Sequence, residues 1–206
     1  MLGLPSTTEV GRRFPKEAFY RNLKMSPAVK ESFVRDIEAI TVANSVKAST
    51  ANIADGARVH EILVMRIDLK GDVVPEGAIE VINGANAGKK IFVCVSDNKG
   101  CLVVKMSKLI IGPWRPLNEL RLEISSESLD ALWDTLASQI VYDDTGGGGL
   151  SVEERFAKDQ KVKAMKDEIA KLEARCRKEK QFNKKNELFA KVNRLKAELA
   201  DFEKGM

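Results

Sequence analysis

Four consecutive glycines at positions 146–149 constrain this 206-residue chain more than any other feature of its sequence. Such a run loses too much backbone entropy on folding to be held in a helix or a strand. We therefore expect residues 143–150, which begin with two aspartates and a threonine, to form a flexible linker or an exposed loop. The linker would join a globular domain over residues 1–142 to a helical tail over residues 151–206.

The composition is typical of a folded cytoplasmic protein. Hydrophobic residues make up 44% of the chain and charged residues 31%, which excludes a disordered chain. Three cysteines are too few, and odd in number, for a disulfide scaffold. The N-terminal sequence lacks the basic and apolar regions of a secretory signal, and no apolar run approaches the ~20 residues that span a bilayer. We therefore expect a cytoplasmic location and no membrane partner.

The formal net charge of +4 is unevenly distributed along the chain. Residues 1–150 hold 18 basic and 19 acidic side chains, whereas residues 151–206 hold 16 basic and 11 acidic ones. The whole positive excess thus lies in the tail. This asymmetry indicates two parts with different roles, of which the tail is the candidate for binding something acidic.

The pattern of residues 1–142 predicts an α+β fold, a mixed sheet with flanking helices. Ser26 and Pro27 form a helix-start signal, and Val29, Phe33 and Ile37 follow at helical spacing. Apolar runs bounded by turn residues indicate buried strands. The expected helices cover residues 15–23, 27 to about 45, 73–84 and 129–140, and the expected strands cover residues 59–69, 91–95, 101–106 and 120–124.

The tail contains neither proline nor glycine between residues 151 and 203 and carries two heptad stretches. The gap between Cys176 and Leu188 breaks the heptad register, so we expect a stutter or a bend within residues 177–187. The tail is therefore either one long helix or a folded-back hairpin. Because a lone amphipathic helix buries little surface, we expect it to pair with itself or with a protein partner. The predicted anchors of that pairing are Leu188, Val192, Leu195 and Leu199.

The densest positive segment lies at the heptad break. Its cations suit contacts with nucleic-acid phosphates, with Phe182 placed against a base or a partner. The alternative is a solvated helix face, because Glu179 and Glu187 are interspersed. The candidate nucleic-acid-binding residues are Arg175, Arg177, Lys178, Lys180, Lys184 and Lys185.

One pattern in the globular domain suggests an enzyme. Asp55, together with Asp68 and Lys70 at a strand end and Glu38 on a preceding helix, is similar to the acidic-acidic-lysine set of restriction-type nucleases. Such carboxylates hold Mg²⁺ while the lysine stabilises charge at the phosphate. The alternative is ordinary strand-end charges that face water. Outside this pattern we expect no cofactor and no metal, because His60 is the single histidine and no cysteine pair has metal-ligand spacing.

Several segments together resemble a bacterial and archaeal family, domain of unknown function 4391. The segments that carry the resemblance are Leu2–Val10, Phe14–Tyr20, Ala28–Ile37, Glu61–Lys70 and Lys178–Leu188, with Trp114-Arg-Pro before the closing helix. The resemblance covers nearly the full chain and implies no catalytic residues. It does imply an association with DNA methyltransferases and helicases, which accompany such proteins in restriction and phage-defence gene neighbourhoods.

These observations lead to one main functional hypothesis and two alternatives. The main hypothesis is an accessory subunit of a defence or DNA-processing complex, with a helicase or methyltransferase subunit as partner and the tail as the assembly element. The first alternative is a Mg²⁺-dependent nuclease of the restriction type. The second is a nucleic-acid-binding subunit without catalysis.

Overall fold

A computed structural model describes residues 2–146 and 149–204 of the chain. Two compact units divide between Val152 and Glu153. The expected linker over residues 143–150 includes Gly147 and Gly148, which lie outside the described residues. Within the described ranges, no helix combines the length and the apolar character that crossing a membrane requires.

A mixed sheet forms the centre of the first unit. Its strands are β1 (Glu9–Phe14), β2 (Ile37–Val46), β3 (Ile62–Leu69), β4 (Lys89–Ser96), β5 (Lys99–Lys105), β6 (Leu109–Ile111) and β7 (Arg115–Pro116). The order is β1-β2-β3-β4-β5-β6, and β7 also pairs with β5. Only β3 and β4 are parallel neighbours; the other pairs are antiparallel. The predicted α+β class is therefore confirmed.

Helices cover both faces of the sheet. They are α1 (Lys16–Asn22), α2 (Pro27–Arg35), α3 (Ala48–Ala51), α4 (Glu76–Gly84) and α5 (Leu129–Tyr142). Helices α1, α2 and α4 bury one apolar cluster, which includes Phe33 and Ile67. Helix α5 buries the other apolar cluster, which includes Trp133 and Val64. Helix α4 is also the crossover that two parallel neighbours require.

The predicted helix from residue 27 to about residue 45 is wrong in its second half. Helix α2 ends at Arg35, and strand β2 follows from Ile37 to Val46. Branched side chains such as Ile40 and Val42 favour a strand because their stiff χ1 angles fit a pleated surface. Pairing with both β1 and β3 then outweighs the accidental helical spacing of the apolar residues.

The predicted strand over residues 120–124 is also wrong. Its only pairing within the described chain is a single bridge between Leu2 and Arg121. The side chain of Gln139 satisfies the backbone here, since the amide of Glu123 donates to Gln139 Oε1 at 2.8 Å and Gln139 Nε2 donates to the carbonyl of Glu123 at 3.0 Å. A side chain of α5 thus replaces the strand neighbour that the apolar pattern implied.

The second unit consists of two long helices, α6 (Val152–Lys178) and α7 (Phe182–Lys204). The first residue of α6, Val152, belongs to the first unit. The break at residues 179–181 lies within the predicted range 177–187, so that prediction is confirmed. Of the two expected arrangements, the structure has the folded-back hairpin. Ile169 and Leu172 of α6 pack with Val192 of α7 along its seam.

Candidate functional site

Charged side chains from neighbouring strands converge at the edge of the sheet where β3 and β4 end and β2 begins. We call the five that line one cavity there the sheet-edge cluster: Arg13, Glu38, Arg66, Asp68 and Asp97. The cavity has a volume of about 440 Å³, and three uncharged residues complete its wall. The carboxyl ends of parallel strands are where open α/β sheets most often bind ligands. This edge is therefore the first candidate site of the globular unit.

A β-bulge places Glu38 in the cluster. Ile37 pairs with Leu69 and Ala39 pairs with Asp68, so β2 has one residue more than β3 between these pairs. The extra residue, Glu38, interrupts the alternation of the strand, and it lines the same cavity as Asp68. Bulges commonly re-aim a side chain in this way next to functional sites. The sequence pattern predicted these two carboxylates at one site but placed Glu38 on a helix, which is wrong.

An ion pair within the cluster fixes one of its arginines. Arg66 Nε donates to Asp68 Oδ1 at 2.7 Å, and both side chains are half-buried. Among the described residues, nothing else hydrogen-bonds the terminal nitrogens of Arg66, Asp68 Oδ2 or the carboxylate of Glu38. The cluster thus keeps free donors and free acceptors side by side.

Two lysines lie at the margin of the cluster, and both donate hydrogen bonds to backbone carbonyls. Lys70 Nζ donates to the carbonyl of Val34 at 2.9 Å, which satisfies one of the last carbonyls of α2. Lys16 Nζ donates to the carbonyl of Ile37 at 2.7 Å. Burial lowers the pKa of Lys16, and the nearby charge of Lys70 lowers it further. The predicted site residue Lys70 therefore lies near the cavity without lining it.

The structure does not bring Asp55 to this site. Asp55 precedes β3, whereas Asp68 lies near the end of that strand, which spans roughly 25 Å for eight residues. Asp55 Oδ2 instead lies 3.0 Å from Nδ1 of His60 on an exposed surface. Of the four predicted catalytic candidates, Glu38 and Asp68 share the cavity, Lys70 lies beside it and Asp55 is remote.

The loop end of the hairpin carries the predicted nucleic-acid-binding residues. We call these six exposed cations the hairpin tip: Arg175, Arg177, Lys178, Lys180, Lys184 and Lys185. Within the described residues, none of the six has a carboxylate within ion-pair distance. Further along the hairpin, by contrast, Lys196 pairs with Glu173 at 2.7 Å and Lys166 pairs with Glu203 at 2.8 Å.

The predicted partner-binding residues lie along the seam of the hairpin. Val192 is 4% exposed and packs with Ile169 and Leu172 of the same chain. The other three predicted anchors, half-buried beside it, are Leu188, Leu195 and Leu199. The seam thus uses these residues within the chain, and their binding of a further partner stays a prediction.

Three residues of the sheet-edge cluster, Arg13, Arg66 and Asp97, and the exposed Phe189 were not predicted from the sequence. Arg66 lies two residues before Asp68, so strand alternation alone puts both on one face. Arg13 had no such signal, because β1 was not predicted. Phe189 lies one heptad after Phe182, a spacing that places both on one side of a helix.

Comparison with curated proteins and with solved structures found no match for this chain. A family model matches residues 2–199, which is nearly the whole of the 206 residues. The match agrees with the resemblance that the sequence segments indicated. The chain therefore belongs to the family described as Domain of unknown function (DUF4391).

Proposed function

We propose that the sheet-edge cluster binds a phosphodiester of nucleic acid and hydrolyses it with the help of Mg²⁺. The observation that carries this proposal is the shared cavity, in which Glu38 and Asp68 lie with two arginines. Carboxylates next to cations are what phosphoryl chemistry requires, because the phosphate needs positive charge and the attacking water needs a base.

The arginines supply the phosphate-binding element. A guanidinium is planar, always charged and matched to two phosphate oxygens. Arg66 is held through its Nε by Asp68, which leaves the terminal nitrogens available to a ligand. Arg13 lines the same cavity, and the nearby Lys16 adds positive potential. Together with Mg²⁺, these cations would offset the three carboxylates of the cavity and the charge of a bound phosphodiester.

Glu38 and Asp68 supply only part of a Mg²⁺ site. Mg²⁺ takes oxygen ligands, commonly one or two carboxylates together with waters and substrate phosphates. Glu38 and Asp68 supply two, and Asp97 lines the same cavity from an exposed position, but within the described ranges no three His, Cys, Asp or Glu side chains are grouped to hold a metal. The residues therefore suit a metal that binds together with its substrate. When bound, it would polarise a phosphoryl oxygen.

Glu38 is suited to be the general base. Its carboxylate has no ion-pair partner among the described residues, whereas Asp68 is engaged with Arg66. In hydrolysis, Glu38 accepts a proton as the water oxygen bonds to phosphorus. The bond from phosphorus to the leaving oxygen then breaks, and that oxygen takes a proton from solvent. Arg13 and Arg66 stabilise the negative charge that develops on the phosphoryl oxygens.

Replacement of Glu38 by glutamine or of Asp68 by asparagine should reduce the rate of cleavage at least about 100-fold. This is the lower end of the rate enhancement that a positioned acid–base group contributes. The measurement is single-turnover cleavage of end-labelled single- and double-stranded DNA and RNA by the full chain with Mg²⁺. The matched control is Asp55→Asn, which removes a carboxylate remote from the cavity and should change the rate less than about twofold. The proposal fails if the wild type yields no Mg²⁺-dependent product, or if Asp68→Asn cleaves as fast as the wild type.

A second candidate function is an accessory subunit of a cytoplasmic defence or DNA-processing complex, and the exposure of the hairpin seam favours it. Ile169, Leu172 and Val192 are buried in the seam, whereas Leu188, Leu195 and Leu199 keep part of their surface exposed. A third helix packed over them would bury that apolar surface. The partner would be a helicase or methyltransferase subunit that contributes such a helix.

Photo-crosslinking in the native host tests this second candidate. A photoreactive residue in place of Leu199, which is half-buried in the seam, should crosslink to a helicase or methyltransferase subunit. The same residue in place of the neighbouring Glu198 is the control, because Glu198 lies outside the seam and pairs with Arg194. Crosslinks of equal yield from both positions, or none from Leu199, would contradict the accessory role.

A further inference from the structure

Positive charge is concentrated at the loop end of the hairpin. Residues 175–185 hold six basic and one acidic side chain, whereas the rest of residues 151–206 holds ten of each. Away from the loop several cations also pair with carboxylates of the other helix, as Lys166–Glu203, Lys191–Glu168 and Lys196–Glu173 show. The six cations of the hairpin tip lack such partners among the described residues. Charges left unpaired and concentrated at one end attract an anionic ligand, and they repel a second copy of the same basic tip.

The acidic residue of the loop, Glu179, forms no ion pair with the tip cations and offsets only one of their six charges. The carboxylate of Glu179 accepts a hydrogen bond from the amide of Gln181 at 2.8 Å. This bond, followed by the nearby positive charges, lowers the pKa of Glu179. The carboxylate thus fixes the turn between α6 and α7, and the tip presents its cations on an ordered scaffold.

Two exposed phenylalanines accompany the cations. Phe182 is 74% exposed at the start of α7, and Phe189 is 60% exposed. Seven residues separate them, so they lie on one side of the helix at about 10 Å along its axis. Phe189 also lines a cavity of about 360 Å³ together with Arg177 and Lys185 of the hairpin tip. Aromatic faces and cations are therefore available at the same surface.

We propose that the hairpin tip with Phe182 and Phe189 binds single-stranded nucleic acid. Unpaired bases stack on aromatic side chains regardless of sequence, while neighbouring cations contact the phosphates. In a duplex the base faces are already stacked, so the two rings would gain nothing from it. An acidic protein helix would need a continuous apolar stripe, whereas exposed polar residues occupy positions 183–187 between the rings. The chemistry thus favours a single strand, independently of the proposed hydrolysis.

Fluorescence anisotropy of the full chain tests this proposal with a labelled oligodeoxynucleotide and the duplex of the same sequence. EDTA in the buffer removes any metal-dependent binding at the sheet-edge cluster. The double variant Phe182→Leu and Phe189→Leu keeps apolar bulk but removes the rings. It should weaken single-strand binding about 10- to 100-fold, because the stacking of bases on the two rings is lost. Duplex binding should change little.

The salt dependence of binding tests the cations. The affinity falls as salt rises, so the slope of log affinity against log salt is negative. In the double variant Lys180→Ala with Lys184→Ala, the magnitude of this slope should decrease by about 1.4, or ~0.7 for each lost phosphate contact. The matched control, Lys163→Ala with Lys204→Ala, removes the same charge from exposed positions far from the loop and should decrease this magnitude less than half as much. Equal slopes for the two pairs would overturn the proposal.

Three further results would also overturn it. The first is a wild type that binds no oligonucleotide at about 50 mM salt. The second is tighter binding of the duplex than of the single strand, which would remove the role of stacking. The third is a leucine double variant that binds as tightly as the wild type, which would place any binding elsewhere on the chain.

Discussion

Replacing Val192 by aspartate should unfold the helical hairpin and leave the first unit folded. Val192 is 4% exposed between Ile169 and Leu172, so a carboxylate there is buried without a partner. Burying an unpaired charge costs several kcal/mol. Each buried apolar side chain of the seam contributes only ~1.5–3 kcal/mol, and among the described seam residues these three are the buried ones. The seam cannot offset that cost.

Hydrogen exchange and circular dichroism measure this outcome. The amides of α6 and α7 should lose their protection while the strands of the sheet keep theirs. Because α6 and α7, with 27 and 23 residues, outnumber the other α-helices combined, more than half of the helical ellipticity should disappear. Ala197→Asp adds the same charge at an exposed position of α7 and should preserve the hairpin. If the amides of α6 and α7 stay protected in the Val192→Asp variant, the packing of Val192 does not hold the hairpin together.

Elements that bury one regular apolar face could be predicted from the sequence. Helix α5 is such a case, because Leu132, Trp133 and Leu136 recur at helical spacing and all are buried. The bend of the tail was predictable for a related reason: two heptad stretches out of register cannot share one straight seam. In both cases the local pattern and the tertiary packing agree.

Elements whose conformation depends on their neighbours could not be predicted. Strand β1 is an edge strand with five of its six residues exposed, so it offers no apolar alternation. Without β1, the residues of β2 resemble a continuation of α2. The sheet-edge cluster could be predicted only in part, for the same reason. Glu38 and Asp68 were expected together, but Arg13 of β1 and the bulge that re-aims Glu38 became visible only with the strand register.

Trp133→Ala should lower the free energy of unfolding of the first unit by about 3–5 kcal/mol, the usual cost of removing a buried tryptophan. Trp133 is 1% exposed in the cluster beneath α5, and Lys89 Nζ lies 4.8 Å from its ring centroid. The cavity left behind cannot collapse, because the sheet holds one wall and the helix the other. Since the whole unit is stabilised by only ~5–15 kcal/mol, a large part of its stability depends on this one ring.

The chain provides its own control in Trp114, its only other tryptophan, which is half-buried at the margin of the other cluster. Trp114→Ala should cost less than half as much, because less apolar surface returns to water. Urea unfolding can be followed in each variant through the fluorescence of the tryptophan that remains. Equal decreases in the free energy of unfolding would mean that the two apolar clusters stabilise the sheet to the same extent. A larger loss for Trp133 identifies the α5 face as the layer that holds β3, and with it Arg66 and Asp68, in register.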